Sequence, residues 1–167
     1  MSRKSPPQTT GWRGRPRVAL IGGSRPDPAF LETAYKVGRL LGERGAVLVC
    51  GGLGGVMEAA ARGAKEAGGL TVGILPGLNR ADANPSIDIP LATGLGYTRN
   101  SLVAMNADAL IAVDGEYGTL SEIAYGIIFG KTVIGLGTWE IKGVFPARTP
   151  EEAVELALQA AAPDRKP

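Results

Sequence analysis

The residues of this chain best suited to chemistry lie where an apolar strand at 110–113 gives way to a glycine turn. Gly115 and Gly118 allow backbone N–H groups to approach a ligand closely. A helix that opens at Thr119 would add the partial positive charge of its N-terminus, and Glu122 is expected in its first turn. Because such a helix start favours anions, above all phosphate, the turn predicts an anion site with a carboxylate beside it.

The same pattern of strand, turn and helix occurs twice in the sequence. The segment VLVCGGLGGVME (47–58) aligns without gaps with IAVDGEYGTLSE (111–122), and each ends with an acid four residues after its second aligned glycine, Gly54 or Gly118. Glu58 and Glu122 are therefore predicted at equivalent first-turn positions. The alternative for either acid is purely structural, since an acid there offsets the helix dipole by roughly 0.3–1 kcal/mol.

A candidate cation precedes the second of these units. Arg99 lies in the glycine-rich segment TGLGYTRN (93–100), and a guanidinium is the natural bidentate partner of phosphate or carboxylate. The alternative is an exposed loop arginine that only contacts solvent. Tyr97 and Asn100 are further candidate hydrogen-bond donors from the same segment.

Composition excludes several kinds of site. The chain has no His, which rules out a Ser-His-Asp triad and removes the commonest metal ligand, so no metal site is expected. The single cysteine, Cys50, ends an apolar run and is expected to be a buried strand thiol. Aromatic residues are 5% of the chain, too few for a surface on which single-stranded nucleic acid stacks.

Positive charge is confined to the N-terminus. Five of the 18 Lys and Arg residues lie in the first 17 positions without any acid, and the remaining 13 face 16 acidic residues, a balance of −3. A basic nucleic-acid-binding face on the body is therefore not expected. Residues 1–16 are expected to form a flexible basic tail, with contact to nucleic acid or membrane as the alternative.

Strands and helices alternate along the chain, which predicts an α/β fold: a Rossmann-like, doubly wound parallel sheet with helices on both faces. The expected extent is one nucleotide-binding domain over 17–162, followed by a short tail at 163–167. Ligands of such sheets bind outside the carboxyl ends of the strands. The glycine turns after the first, second and fifth strands are thus predicted to converge on one pocket. Strands are predicted at 18–21, 46–50, 70–75, near 87–89, at 110–113 and at 132–136, and helices at 28–45, 56–67, up to about 106, from 119, and at 150–161.

Neither common nucleotide-binding motif fits the glycine turns. Met57 stands where the dinucleotide fingerprint starting at Gly52 needs its third glycine, and no G-x-x-x-x-G-K-[ST] segment is present. The sequence predicts a phosphate or nucleotide site outside both motifs. It contains neither a secretory signal pattern nor about 20 consecutive apolar residues, so a cytoplasmic protein without membrane contact is expected.

Four motifs in fixed order resemble a known superfamily. They are GGLGGVMEAAARGAKEAGG (51–69), LPG (75–77), TGLGYTRN (93–100) and DGEYGTLSE (114–122). Together, over residues 17–137, they resemble the LOG or lysine-decarboxylase-like (SLOG) superfamily, and within it the branch that includes molybdenum-cofactor carrier proteins.

The resemblance implies roles for particular residues. In LOG enzymes a P-G-G-x-G-T-x-x-E loop holds the phosphate of a nucleoside monophosphate, and an Arg acts with the loop Glu to cleave the N-glycosidic bond. Matched positions make Arg99 and Glu122 the expected catalytic residues. Ligand contacts are expected at Gly23, Ser24, Gly51, Gly52, Gly54, Gly55, Met57, Glu58, Asn100, Gly115, Gly118 and Thr119.

The chain departs from the LOG pattern at three positions. Asp114 and Glu116 replace a proline and a glycine of the loop, and like charges there weaken phosphate binding unless they point away. Asn100 follows Arg99 where LOG enzymes have Lys. The Arg-Asn form resembles the carrier branch, whose members bind a phosphorylated pterin without turning it over.

Two functions follow from the resemblance, with a third reading that needs no ligand. The first is binding of a phosphorylated nucleotide or pterin by a carrier or sensor, with molybdenum cofactor as a candidate cargo. The alternative is a nucleoside 5′-monophosphate phosphoribohydrolase, and the third is an interaction domain with a degenerate site. A homodimer or homotetramer is expected, with the apolar residues Ile123, Ile127, Ile128 and Phe129 as its surface or, alternatively, as core.

Overall fold

Residues 11–162 are described by the computed structural model, and seven strands in that range form one parallel sheet. The strands are β1 (Arg17–Gly22), β2 (Val47–Cys50), β3 (Leu70–Leu75), β4 (Ile89–Ala92), β5 (Ala109–Val113), β6 (Thr132–Leu136) and β7 (Val144–Pro146). Their order is β4-β3-β2-β1-β5-β6-β7. All neighbouring pairs run parallel, which confirms the predicted α/β, Rossmann-like architecture.

Helices cover both faces of the sheet. They are α1 (Pro28–Glu43), α2 (Val56–Glu66), α3 (Asn100–Met105), α4 (Tyr117–Ile128) and α5 (Pro150–Ala160), with short 3₁₀ turns at Arg80–Asp82 and Gly96–Arg99. Successive residues of β1 point to opposite faces: Leu20 joins the core under α1, α2 and α5, and Ile21 joins the core under α3 and α4.

The centre of the sheet is also where its connectivity reverses. From β1 the chain proceeds outward through β2, β3 and β4, then returns to place β5 on the other side of β1. Val18 pairs with Ala109, and Gly22 pairs with Val113. The carboxyl ends of β1 and β5 therefore flank the crevice where sheets of this kind bind ligands.

Two edge strands differ from the sequence expectation. The strand predicted near 87–89 lies at Ile89–Ala92, because Asp88 is engaged by Thr71: its Oδ2 accepts hydrogen bonds from the Thr71 N–H (3.1 Å) and Oγ1 (3.1 Å). The segment 139–148, for which no strand is predicted, contains β7. This three-residue strand ends in Pro146 and is largely exposed, so it carries little apolar pattern.

The start of α4 corrects a prediction that bears on the site. The helix begins at Tyr117 rather than Thr119, so Glu122 is its sixth residue and lies in the second turn. Gly118 lies inside the helix, although its glycine pattern predicts a turn. Because α2 begins at Val56, Glu58 does lie in a first turn, and the predicted equivalence of the two acids is wrong.

The apolar face predicted on α4 divides between core and surface. Ile123 is fully buried under the sheet, whereas Ile128 and Phe129 are exposed. None of the helices within 11–162 combines the length and apolarity needed to cross a bilayer. The predicted tails lie outside the described residues, apart from 11–16, where the Arg15 guanidinium lies 4.4 Å from the Trp12 ring centroid.

Candidate functional site

A cavity of about 400 Å³ opens at the carboxyl edge of the sheet, at the reversal between β1 and β5. The turns after β1, β2 and β5 converge on it, as the glycine pattern predicts. Its lining residues are Leu20, Ile21, Gly22, Gly23, Ser24, Leu53, Met57, Pro76, Gly96, Tyr97, Arg99, Asn100, Glu116, Gly118, Thr119 and Glu122.

The structure brings together most of the predicted site residues. Those that line the cavity are Gly23, Ser24, Met57, Arg99, Asn100, Gly118, Thr119 and Glu122, while Gly51, Gly52, Gly54, Gly55, Glu58 and Gly115 do not. Glu58 is exposed. Sequence reasoning missed the apolar lining residues Leu20, Ile21 and Leu53. The first two belong to the strand predicted at 18–21, and only the position of β1 at the reversal point marks them as site residues.

Arg99 is buried, which excludes the alternative of a solvent-facing loop arginine: 7% of the residue is exposed. Its Nη2 donates to the Gly51 carbonyl at 3.2 Å, and its Nη1 donates to Asn100 Oδ1. Its Nε is buried and lacks a hydrogen-bond partner within the described part of the chain. Burial lowers the pKa of the guanidinium, and the nearby Glu122 carboxylate opposes that shift.

Glu122 is the second buried ionisable group of the cavity. Its Oε1 lies 4.0 Å from Arg99 Nη1, too far for a hydrogen bond, and 6% of the residue is exposed. Burial raises the pKa of this carboxyl to about 8, and the attraction of Arg99 offsets only part of that rise. The raised pKa favours the protonated form of the carboxyl, which can donate a proton and does not repel an anion.

The Asn100 side chain links Arg99 to the first turn of α4. Because a guanidinium only donates, the oxygen of the Asn100 amide must face Arg99. Its nitrogen then donates to the Gly118 carbonyl at 3.3 Å and to Ser121 Oγ at 3.0 Å. Asn100 therefore lines the cavity as predicted, but both of its N–H donors are engaged within the protein.

The turn between β5 and α4 has an unusual backbone. Asp114 has φ +54°, and Gly115 follows with φ +116°. A Cβ on Gly115 would lie 2.5 Å from the Thr119 side chain. Glu116 is the N-cap residue without a side-chain cap, and within residues 11–162 the first N–H groups of α4 have no acceptor. This leaves donors for an anion at the wall formed by Gly118 and Thr119.

The corresponding turn after β2 packs against the buried side chains of the site. A Cβ on Gly51 would lie 2.6 Å from Arg99 Nη2 and 2.7 Å from Met57 Sδ, so a larger residue there would displace the guanidinium from its present position. The Val56 N–H, at the start of α2, already donates to the Gly23 carbonyl at 3.0 Å. This turn therefore shapes the cavity.

Cys50, at the end of β2, is fully buried, as predicted. Burial raises the pKa of its thiol to about 12, so it is not a nucleophile near neutral pH. Within residues 11–162 no group of three His, Cys, Asp or Glu side chains is placed to hold a metal ion.

Comparisons with known proteins agree with this geometry. The model of the SLOG cluster4 family matches residues 15–164. The solved structure of the molybdenum cofactor binding protein from the phototrophic bacterium Rippkaea orientalis superposes with a TM-score of 0.84 at 35% identity, over 89% of this chain and 98% of that one.

Two sequence relatives complete the comparison. An uncharacterised protein of Archaeoglobus fulgidus is 46% identical over 144 residues, which are 85% of this chain and 94% of that protein. The cytokinin riboside 5′-monophosphate phosphoribohydrolase of Mycobacterium marinum is 33% identical over 137 residues, 75% of this chain and 73% of that enzyme.

Proposed function

The chain belongs to the SLOG cluster4 family, and we propose that it binds a phosphorylated nucleotide-type ligand in the cavity between β1 and β5. In this proposal it acts as a carrier or sensor of a phosphorylated heterocycle, with molybdenum cofactor as candidate cargo. One observation carries the proposal: the uncapped first turn of α4 and the buried Arg99 border the same cavity.

The phosphate would lie against the start of α4. Backbone N–H groups and the helix dipole favour an anion there, and Thr119 places a hydroxyl at the same wall. In its protonated form, which burial favours, Glu122 adds no repulsion. This part of the cavity can therefore hold a phosphate although Arg99 has engaged two of its nitrogens with Gly51 and Asn100.

The rest of the cavity suits a flat heterocycle. Leu20, Ile21, Leu53 and Met57 give it an apolar side, and about 400 Å³ lies within the usual range for small-molecule sites. Exposed Tyr97 at the rim adds an aromatic ring. Apolar walls with a few polar groups at one end are the usual arrangement for binding a nucleotide or a pterin.

Two features favour binding without turnover. The Asn100 amide, which follows Arg99, is engaged in internal hydrogen bonds. Exposed Glu116 brings a negative charge to the cavity wall, which weakens phosphate binding and so favours exchange of a cargo. The name of the Rippkaea orientalis protein, a molybdenum cofactor binding protein, supports the same proposal.

The carrier proposal is tested on protein purified without dialysis. Native mass spectrometry should detect a small phosphorylated molecule that leaves unchanged on denaturation, and nucleotides or pterins from a panel should raise the melting temperature. Arg99→Met should abolish that rise, whereas Glu58→Gln, on the exposed acid of the other unit, should retain it. If no nucleotide or pterin stabilises the protein, the proposal is wrong.

A second candidate is the phosphoribohydrolase reaction, favoured by Arg99 and Glu122 lying together in one cavity. Water would add to C1′ of a nucleoside 5′-monophosphate as the C1′–N bond breaks, and the protonated Glu122 would donate its proton to the departing base. The proton released by the added water would then restore Glu122. The Mycobacterium marinum relative, named as such an enzyme, supports this candidate.

Base release from cytokinin riboside 5′-monophosphate and from AMP tests the enzyme candidate. Turnover by the native protein that falls at least about 100-fold in Glu122→Gln would support it. Binding of either nucleotide without any free base would refute hydrolysis of these substrates and leave the carrier proposal intact.

We further propose that residues 17–162 act as one ligand-binding domain and that the chain forms a homodimer or homotetramer. Ile128 is 71% exposed and Phe129 36% exposed at the end of α4, which makes them candidate interface residues. Light scattering on the native protein and on Ile128→Glu should show a loss of assembly in the variant. A native protein that is monomeric would contradict the proposed assembly.

A further inference from the structure

The turn that begins α4 is held from outside the cavity by the segment that follows β6. Thr138 Oγ1 donates to the Asp114 carbonyl at 2.6 Å, and Trp139 Nε1 donates to the Glu116 carbonyl at 3.2 Å. The Trp139 ring also lies 5.8 Å from the ring of Tyr117, the first residue of α4. Neither Thr138 nor Trp139 is among the residues that line the cavity.

These two hydrogen bonds are made to a turn whose backbone is strained. Asp114 is the one non-glycine residue between 11 and 162 with a positive φ, a conformation that costs an L residue roughly 1–2 kcal/mol. Gly115 continues with φ +116°, and Glu116 caps α4 without a side-chain hydrogen bond. The turn therefore lacks a cap of its own, while donors from beyond β6 occupy the carbonyls at both of its ends.

The local sequence makes room for these donors. A Cβ on Gly135 would lie 2.9 Å from the Thr138 methyl group, and one on Gly137 would lie 2.7 Å from the Phe30 ring. Gly137 also has φ +60°, which turns the chain just before Thr138. These two glycines let the chain after β6 fold back beneath the turn.

We propose that Thr138 and Trp139 are positioning residues, which fix the turn Asp114–Glu116 so that the first N–H groups of α4 face the cavity. The effect on ligand affinity rests on the proposed function, whereas the effect on the turn does not. Loss of the Thr138 donor frees the Asp114 carbonyl, and loss of the Trp139 donor leaves the Glu116 carbonyl with the Leu120 N–H alone. In either case the anion-binding donors lose their fixed direction without any change in the residues that touch the ligand.

Hydrogen exchange of the ligand-free protein tests the turn itself. Thr138→Val removes the hydroxyl at nearly constant volume, and Thr138→Ser is the matched control that keeps it. Peptides over 114–120 should exchange about fivefold faster in the valine variant, the factor expected for one lost hydrogen bond. Peptides over 47–58 should not change, and serine should restore the native rate. An unchanged rate at 114–120 in the valine variant overturns the proposal.

Trp139→Phe provides a second variant, in case Thr138→Val does not fold. It removes the N–H donor to Glu116 but retains a ring beside Tyr117. Faster exchange confined to 114–120 is again the expected result. Native exchange in this variant would remove Trp139 from the proposal.

A binding measurement then separates this inference from the proposed function. In Trp12→Phe protein, Trp139 is the sole tryptophan, so AMP added to the cavity should change its fluorescence. Calorimetry should show a Kd for AMP raised about fivefold by Thr138→Val and restored by Thr138→Ser. Equal affinity in both variants overturns the positioning role. If AMP binds none of them while 114–120 exchanges faster in valine, the positioning of the turn stands and AMP binding fails.

Discussion

The units β2–α2 and β5–α4 align residue by residue in sequence, yet they occupy different places in the site. In the first unit the acid, Glu58, is exposed, and in the second the acid, Glu122, is buried in the cavity wall. The difference arises where the helix begins. In the aligned sequences α4 starts three residues earlier than α2, so its acid lies almost one turn further along the helix.

The turns themselves explain that difference. After β2, Gly55 has φ +68° and the first N–H of α2 is used by the Gly23 carbonyl. After β5, Asp114 and Gly115 change the chain direction at once, and Glu116 already caps α4. The first N–H of α2 is thus used within the protein, whereas nothing in residues 11–162 accepts from the first N–H groups of α4. Two similar segments can therefore provide a support and a binding surface.

The largest expected effect compares the aligned glycines Gly115 and Gly51. Gly115→Ala should destabilise the protein by about 3 kcal/mol or more, because alanine is strained at φ +116° and its Cβ would overlap Thr119. Gly51→Ala should cost about 1–2 kcal/mol, since its Cβ would displace only the ends of Arg99 and Met57. Chemical denaturation measures both values.

Gly54→Ala is the control for this pair, because the nearest atom to its added Cβ is Glu58 Oε2 at 4.0 Å. It should change the free energy of unfolding by less than about 1 kcal/mol. Equal losses at Gly115 and Gly51 would show that the two turns are more alike than the structure indicates.

A smaller effect, which depends on pH, compares the two acids. The pKa of Glu122 is raised from 4.5 to about 8 on folding, so native protein binds the proton more tightly than unfolded protein does. The stability due to this group is therefore complete below about pH 4.5 and is lost as the pH rises through 8. Glu122→Gln, which stays uncharged, should gain about 2–3 kcal/mol of stability over the native protein between pH 5 and pH 7.

Urea denaturation at pH 5, 7 and 9 measures this difference. Glu58→Gln should follow the native pH dependence, because that acid is exposed. If Glu122→Gln instead loses stability at pH 9, the charged pair with Arg99 stabilises the fold, and Glu122 is an anion in the native protein.

Arg99 contacts both units, so its replacement tests whether they act together. Arg99→Lys keeps the charge but loses the planar group that reaches both the Gly51 carbonyl and Asn100. We expect AMP affinity, measured by calorimetry, to fall about tenfold, which corresponds to roughly 1.4 kcal/mol. An unchanged affinity would mean that the first turn of α4 binds the anion without help from Arg99.

The smallest expected effect concerns Cys50, the residue of the first unit that aligns with Asp114. Cys50 is fully buried and its thiol has a pKa of about 12, so a thiol reagent should not label native protein at pH 8. Labelling should be complete in denaturant. Rapid labelling of native protein would show that the turn after β2 opens.

The sequence predicts the inner strands of the sheet well because they are largely buried. Leu70–Leu75 and Thr132–Leu136 lie where apolar runs predict them. The start of α4 is missed because Gly118 in the sequence is typical of a turn, whereas its backbone is helical. Local sequence does not distinguish these two states when the preceding Asp114 and Gly115 have already reversed the chain.

The sequence predicts which residues form the centre of the candidate site, but it does not predict their burial or their pKa shifts. The glycine turns and the resemblance identify Arg99 and Glu122, which the structure places 4.0 Å apart. Burial of Arg99 depends on the carbonyl of Gly51, 48 residues away, and nothing in TGLGYTRN indicates that contact. The support from Thr138 and Trp139 likewise follows from how β6 lies beside β5.

The place of β1 between β2 and β5 has a consequence for how the protein is made. Val18 pairs with Ala109, which follows it by 91 residues in the chain. The central strand β1 therefore cannot complete its pairing until β5 has been synthesised. Pairing between such distant segments is slow compared with local contacts. During synthesis, β1 to β3 emerge well before β5, and one edge of β1 stays open until then. The ligand site, which needs the turns after both strands, is therefore among the last parts of the molecule to form, and a bound ligand would favour the completed fold.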